Sequence, residues 1–201
     1  MKRVLLIILL MFPLLSFAKE EVKYSKCVDG DTIKVIREKK EITVRMLAID
    51  TPESVHPNKS EEYYGKESSE YTCNMIKNAK KIELEYDSKS DKTDKYNRVL
   101  AWVFVDDYLL NDILVRNGYA EVAYLYDDYK YVDILKEHET LAKLEKNGIW
   151  NDEARAKFNE KNEINIWVVI ILIILGVIFT TYKKQLKKLI KKCKIKLNFK
   201  E

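Results

Sequence analysis

Asp29, Asp31, Asp50 and Glu53 share one short stretch, Cys27 to Glu53 (CVDGDTIKVIREKKEITVRMLAIDTPE), whose strands bring them and Arg45 toward a single place. Carboxylates gathered in one place repel one another unless a cation neutralises them, and an all-oxygen donor set suits a hard divalent ion such as calcium or magnesium. An arginine beside such an ion presents a planar fork of donors that fits a phosphate. The chemistry implied is that of a phosphodiester. Taken singly, each acid reads as turn chemistry or solvated surface, because Asp-Gly is an ordinary turn dipeptide. The combination carries the reading.

Three strands must bring these groups together. Apolar alternation marks one strand at Ile33–Ile36 and another at Ile42–Ile49, with the hairpin dipeptide Asp29-Gly30 before the first. Pro52 ends the latter strand, since it has no N–H for a ladder. Strict alternation puts Arg45 and Asp50 on opposite faces, so a bulge or twist is required before Thr51. Further along, Tyr64–Ala79 shows helical spacing, Lys81–Tyr86 alternates as a strand, and Arg98–Val105 is a buried strand. Leu110–Asn117 reads as a short helix with Asn111 as its cap and Gly118 as its stop; a last helix around Tyr131–Ala142 ends at Gly148. Strands first, with a helix between the third and fourth, is the order of an OB-fold barrel. The expected class is α+β: a five-stranded OB-fold barrel with three helices.

The ends of the chain differ from its middle. Val4–Phe17 is almost wholly apolar after Lys2-Arg3, and Ser16-Phe17-Ala18 offers small residues for cleavage, so 1–18 reads as a signal peptide. Residues 19–151 form the globular domain and 152–165 a juxtamembrane linker. Ile166–Tyr182 carries no charge and as a helix covers roughly 26 Å, at the short end of a bilayer span. Its follower, 183–201, holds nine lysines and one glutamate and by the positive-inside tendency is cytoplasmic. The central domain is therefore expected outside the membrane, periplasmic or on the cell surface, in a single-pass protein. Residues 19–163 hold 25 basic and 31 acidic groups, a net of −6, so the chain's overall +4 is no argument for a general nucleic-acid field. Cys27 and Cys73 share the oxidising side; sequence gives no Cα separation, which leaves their pairing open. His56 and His138 are too few for a multi-histidine metal site and read as structural or solvated. Arg116 and Glu139 read as a buried structural pair between the last two helices.

At Asp29-Gly30-Asp31-Thr32, Arg45, Asp50-Thr51-Pro52-Glu53 and Asp94-Lys95-Tyr96-Asn97-Arg98 the chain resembles the thermonuclease family, the staphylococcal-nuclease-like proteins. The likeness runs over roughly residues 22–151 and takes in Tyr64-Gly65, Val122–Tyr126 and Ile149-Trp150. It implies a calcium-dependent phosphodiesterase that acts on DNA and RNA and leaves 3′-phosphates. By position, Asp31 and Asp50 would be the calcium carboxylates, the Thr51 carbonyl a further ligand, and Asp29 a neighbour behind them. Glu53 would align or deprotonate the attacking water, and Arg45 and Arg98 would clamp the phosphate. Lys95 and Tyr96 would meet an adjacent phosphate, while Tyr124 and Tyr126 would shape the nucleotide pocket. Asn97 departs from the glycine usual in its motif, although asparagine tolerates left-handed backbone. The expected protein is a monomeric, membrane-anchored calcium nuclease. The alternatives are a catalytically inert nucleic-acid-binding domain and an envelope interaction module on the same fold.

Overall fold

The computed structural model describes residues 19–54 and 61–198. The signal-peptide reading at 1–18 and His56-Pro57 fall outside the described residues. The chain divides into two compact units, 1–152 and 153–201.

In the first unit, β1 (Glu20–Cys27), β2 (Thr32–Arg37) and β3 (Lys40–Met46) form an antiparallel meander. Next come β4 (Ile49–Asp50), α1 (Gly65–Asn78), β5 (Ile82–Glu85) and β6 (Val99–Val105). The unit continues with β7 (Tyr108–Leu109), α2 (Leu110–Arg116), β8 (Glu121–Val122), α3 (Val132–Leu144) and a 3-10 turn at Gly148–Trp150. The order β3-β2-β1-β5-β6 closes on itself because β3 also pairs with β6, in parallel. The result is a closed five-stranded barrel of the OB-like kind with three helices around it, as the sequence implies.

On β2 burial follows the alternation, whereas β5 and most of β6 are covered on both faces. Ile33 and Val35 on β2, Val44 and Met46 on β3, Leu84 on β5 and Ala101, Trp102 and Val103 on β6 are buried, most of them wholly enclosed. Trp102 buries the largest ring, and its indole N–H donates to Asp87 Oδ2 at 2.9 Å, which removes the cost of an unpaired donor. Cys27 and Cys73 are joined, with Cα atoms 5.4 Å apart, so the disulfide that the sequence leaves open links β1 to α1.

Local expectations change in three places. Asn111 is not a helix cap: α2 starts after Leu109, and the fully buried Asn111 amide accepts from Val103 N–H at 3.0 Å and donates to Leu47 O at 2.8 Å. Glu139 does not pair with Arg116, which is exposed; it accepts from Val122 N–H and from Lys143. Finally α3 stops at Leu144, and Lys146, at φ 55°, turns the chain before Gly148 does.

The second unit is one helix, α4 (Asp152–Asn198), continuous through the segments read from sequence as linker and span. It is long and apolar enough to cross a membrane, with a mean hydropathy of 2.7 over its most apolar window and none of that window buried within the protein.

Candidate nuclease site

Asp31 ends the β1–β2 turn, and its main chain is fixed there: its carbonyl accepts from Met46 N–H at 2.9 Å, while Thr32 O accepts from Asp29 N–H at 3.0 Å. Its carboxylate is buried, and Oδ2 receives both Thr51 N–H at 3.0 Å and the Thr51 hydroxyl at 3.1 Å. Gly30 makes this closeness possible, since a Cβ there would come within 2.6 Å of Thr51 Oγ1. Two segments twenty residues apart are thereby locked at one carboxylate.

The face problem at Arg45 and Asp50 is solved by breaking the strand rather than bulging it. β3 ends at Met46, Ala48 takes φ 58°, and Ile49-Asp50 pair instead with Glu121-Val122 in a separate two-stranded sheet. Left-handed backbone costs a non-glycine residue about 1 kcal/mol, and such residues gather where geometry is over-determined by function. Asn111 supports the break by holding the Leu47 carbonyl. Arg45 then lies between the two aspartates, with Nη1 2.5 Å from Asp31 Oδ2 and Nη2 2.8 Å from Asp50 Oδ1. Nη1 is fully buried against Asp31, its contact a close ion pair rather than an aligned hydrogen bond.

Burial pushes the Asp50 carboxyl up to about 6; Arg45 opposes the shift, the charges of Asp31 and Glu121 add to it, and the Tyr124 hydroxyl, 3.4 Å from Oδ2, offsets part of it. Glu53 is also raised, by burial first and then by the Asp29 charge and a hydrogen bond with it. Its backbone is clamped: the Glu53 N–H donates to the Glu62 carboxylate at 3.0 Å, and the Glu62 N–H returns to the Glu53 carbonyl at 3.0 Å. A Cβ at Gly65 would sit 2.4 Å from that same carbonyl, so α1 packs directly on the Glu53 main chain. Asp29 is held by the Ser54 hydroxyl at 2.6 Å.

Arg98 immediately precedes β6, which pairs with β3 from Val99 on. Asp94 holds it in place: Oδ2 accepts from Arg98 Nε and Nη2, each at 2.7 Å, and Oδ1 accepts from the backbone N–H groups of Tyr96 and Arg98. Burial alone would raise the Asp94 carboxyl, but these bonds together outweigh it and hold Asp94 below the usual carboxylate range. Asn97 adopts φ 60°, the conformation that glycine would otherwise supply. Arg45, Arg98, Lys95, Tyr96, Tyr124 and Tyr126 line one cavity of about 580 Å³. Tyr96, Tyr124 and Tyr126 expose half or more of their surface, and the Arg45 and Arg98 guanidiniums lie 5.4 and 5.3 Å from the Tyr124 and Tyr96 rings.

All the site residues named from the sequence therefore fall on two adjoining groups that share Arg45: the acids Asp29, Asp31, Asp50 and Glu53 with Thr51, and the cavity wall. Not read from the sequence were Ser54 and Glu62, and the orienting roles of Gly65, Asp94 and Asn111. Asp94 carried a signal, an acid four residues before an arginine. Ser54 and Asn111 act across 25 and 64 positions. Among the described residues no three acidic, histidine or cysteine side chains come together as a complete metal cage. The set still fits a hard divalent cation shared with substrate: two carboxylates are close, their oxygens are hard donors, and Arg45 leaves Asp50 short of neutralisation.

The sequence family described as Staphylococcal nuclease homologue matches residues 43–152. The thermonuclease of Staphylococcus hyicus is 37% identical over 139 residues, which cover 69% of this chain and 80% of that protein. Endonuclease YncB of Bacillus subtilis is 42% identical over 131 residues, 65% of this chain and 61% of that one. The SPbeta prophage-derived endonuclease YokF of the same organism is 43% identical over 132 residues, 65% of this chain and 44% of that one. The chain thus spans less than two thirds of the length of either Bacillus protein.

Proposed function

The chain belongs to the family of staphylococcal nuclease homologues, and from that premise we propose that it is a calcium-dependent endonuclease that hydrolyses DNA and RNA to 3′-phosphate ends. The observation that carries the reading is Arg45, whose guanidinium joins Asp31 to Asp50 on the wall of the cavity that also holds Arg98.

Asp31 and Asp50, with the Thr51 carbonyl, would hold the calcium ion. When bound, the ion supplies positive charge beside the scissile phosphate and offsets the repulsion of the surrounding acids. Arg45 and Arg98 receive the phosphate. Attack on a diester builds negative charge on its equatorial oxygens, so donors aimed there bind the transition state more tightly than the substrate. Arg98 must exchange part of its Asp94 pairing for the phosphate, and Arg45 part of its Asp50 pairing. Glu53 removes a proton from the attacking water; its raised proton affinity brings it nearer the working pH, where a general base is most effective. Asp29 supports Glu53 by that same charge. Lys95 and Tyr96 contact a neighbouring phosphate, and Tyr124 and Tyr126 offer rings on which a splayed base stacks.

Within this reading 1–18 is a signal peptide, α4 anchors the protein through 166–182, the barrel works outside the cytoplasm as a monomer, and the lysine-rich tail stays inside. The hydropathy of α4 and the lysines that follow its apolar stretch support that placement. With all four acids ionised and both arginines charged the site carries −2 and repels nucleic acid, so activity requires the cation. The test is incubation of the full chain with single-stranded DNA in calcium or in chelator, followed by end-group analysis. Calcium-dependent fragments with 3′-phosphates are expected; undiminished cleavage in chelator overturns the reading.

A further inference from the structure

Helix α1 touches both acid-bearing segments. Its first residue, Gly65, packs on the Glu53 carbonyl, and about 12 Å further along the helix two adjacent residues grip the turn that carries Asp29 and Asp31. Thr72, fully buried, donates its hydroxyl to the Gly30 carbonyl at 2.7 Å. Cys73 is bonded to Cys27, the last residue of β1, whose sulfur lies 3.9 Å from the Asp29 carbonyl oxygen. The disulfide therefore closes on the site itself, two residues from Asp29 and four from Asp31. Among the described residues, the Thr72 hydroxyl makes the other side-chain bond from α1 to the turn. Both cysteines are partly exposed, so a reductant reaches them.

We propose that Cys27–Cys73 is a positioning pair for the cation site: it sets α1 against the Asp29–Asp31 turn, and its reduction weakens calcium binding and silences the nuclease at limiting calcium. The proposal rests on the nuclease reading above. A small dithiol supplies the two electrons and two protons: the S–S bond breaks, two thiols form, and the dithiol leaves as its cyclic disulfide. A chain synthesised in the reducing cytoplasm is then inactive until oxidation on the far side of the membrane. The device separates the enzyme's activity from the cell's own nucleic acid.

The test compares the full chain in detergent, oxidised and dithiol-reduced with alkylated thiols, alongside the double variant Cys27→Ser/Cys73→Ser. Calcium binding is titrated calorimetrically without nucleic acid, folding is followed by near-ultraviolet circular dichroism, and cleavage is measured against calcium concentration. Loss of the pair is expected to weaken calcium binding about 10- to 100-fold, the usual scale for groups that orient metal ligands. Cleavage should recover when calcium is raised to saturation. Unchanged calcium affinity in a folded, reduced chain overturns the proposal, leaving the disulfide a staple. If the reduced chain unfolds, the variant Cys27→Ala/Cys73→Val, which keeps apolar bulk at both positions without the bond, decides: weaker calcium binding with a native near-ultraviolet spectrum is expected, and unchanged binding overturns the idea. An oxidised chain that binds calcium but cuts nothing refutes the nuclease reading and leaves the positioning claim to the titration.

Discussion

Asp50→Asn should make the metal-free protein more stable at neutral pH, although it removes half of an ion pair with Arg45. Burial raises the Asp50 carboxyl from 3.8 to about 6 despite that arginine. A folded-state value above the unfolded one means that the folded chain binds the proton more tightly. The neutral acid is therefore well tolerated below the unfolded value, and stability is lost as pH rises through about 4 to 6. The full shift corresponds to about 3 kcal/mol at 1.36 kcal/mol per unit. The side chain is 36% exposed, and solvent screening reduces the expectation to about 1–2 kcal/mol. Asparagine keeps the acceptor for Arg45 and has no charge to desolvate. Urea unfolding of the full chain in detergent and chelator, followed by tryptophan fluorescence at a series of pH values, should show variant and parent alike near pH 4 and the variant ahead by that amount near pH 7.5. Calcium should reverse the order, because only the parent gains binding energy from it. A variant less stable than its parent in chelator at neutral pH would refute the reasoning: the charge would then be satisfied by Arg45, with no call for a cation.

Glu53→Gln and Arg98→Ala should each lower kcat by about 10²-fold or more, the usual scale for a general base or an oxyanion donor, with unfolding curves close to the parent's. Asn97→Ala should cost about 1 kcal/mol of stability through its left-handed backbone, and Asn97→Gly should restore it; equal stability of the two would remove the conformational argument. Asn111→Ala strands a buried N–H on Val103 and a buried carbonyl on Leu47, and should lower the urea-derived stability by about 2–5 kcal/mol. Because it frees the Leu47–Ala48 break, it should also weaken calcium binding.

The barrel was legible because its strands alternate and its turns carry Asp-Gly or a proline, signals that lie within a few residues of what they describe. The acids and arginines were legible as a set for the same reason: they fall in four short stretches, Asp29–Thr32, Arg45, Asp50–Glu53 and Asp94–Arg98. What escaped was contact across distance. The bond from Asn111 to Leu47 spans 64 positions, and no local pattern distinguishes it from a helix cap. The break at Ala48 was foreseen only as a need, since alternation demanded some departure; that a left-handed alanine and a strand exchange to Glu121-Val122 would supply it depends on tertiary pairing. Glu139 lay beside an apolar face, which marked it as partnered without naming the partner. The backbone N–H of Val122 on the neighbouring short sheet took that place. The continuity of α4 was hidden because charge, not helix propensity, divided linker from span in the sequence.

The account turns on one phosphate being shared by the Asp31–Asp50 cation and by both guanidiniums. Its most direct test is a crystal structure of the protein with calcium and an uncleavable dinucleotide. The account predicts a single ion bound by the Asp31 and Asp50 carboxylates and by a phosphate oxygen, with Arg45 drawn away from Asp50, Arg98 drawn away from Asp94, and both on that phosphate. A dinucleotide bound elsewhere in the cavity, with Arg45 still bridging its two aspartates and no ion between them, would contradict it.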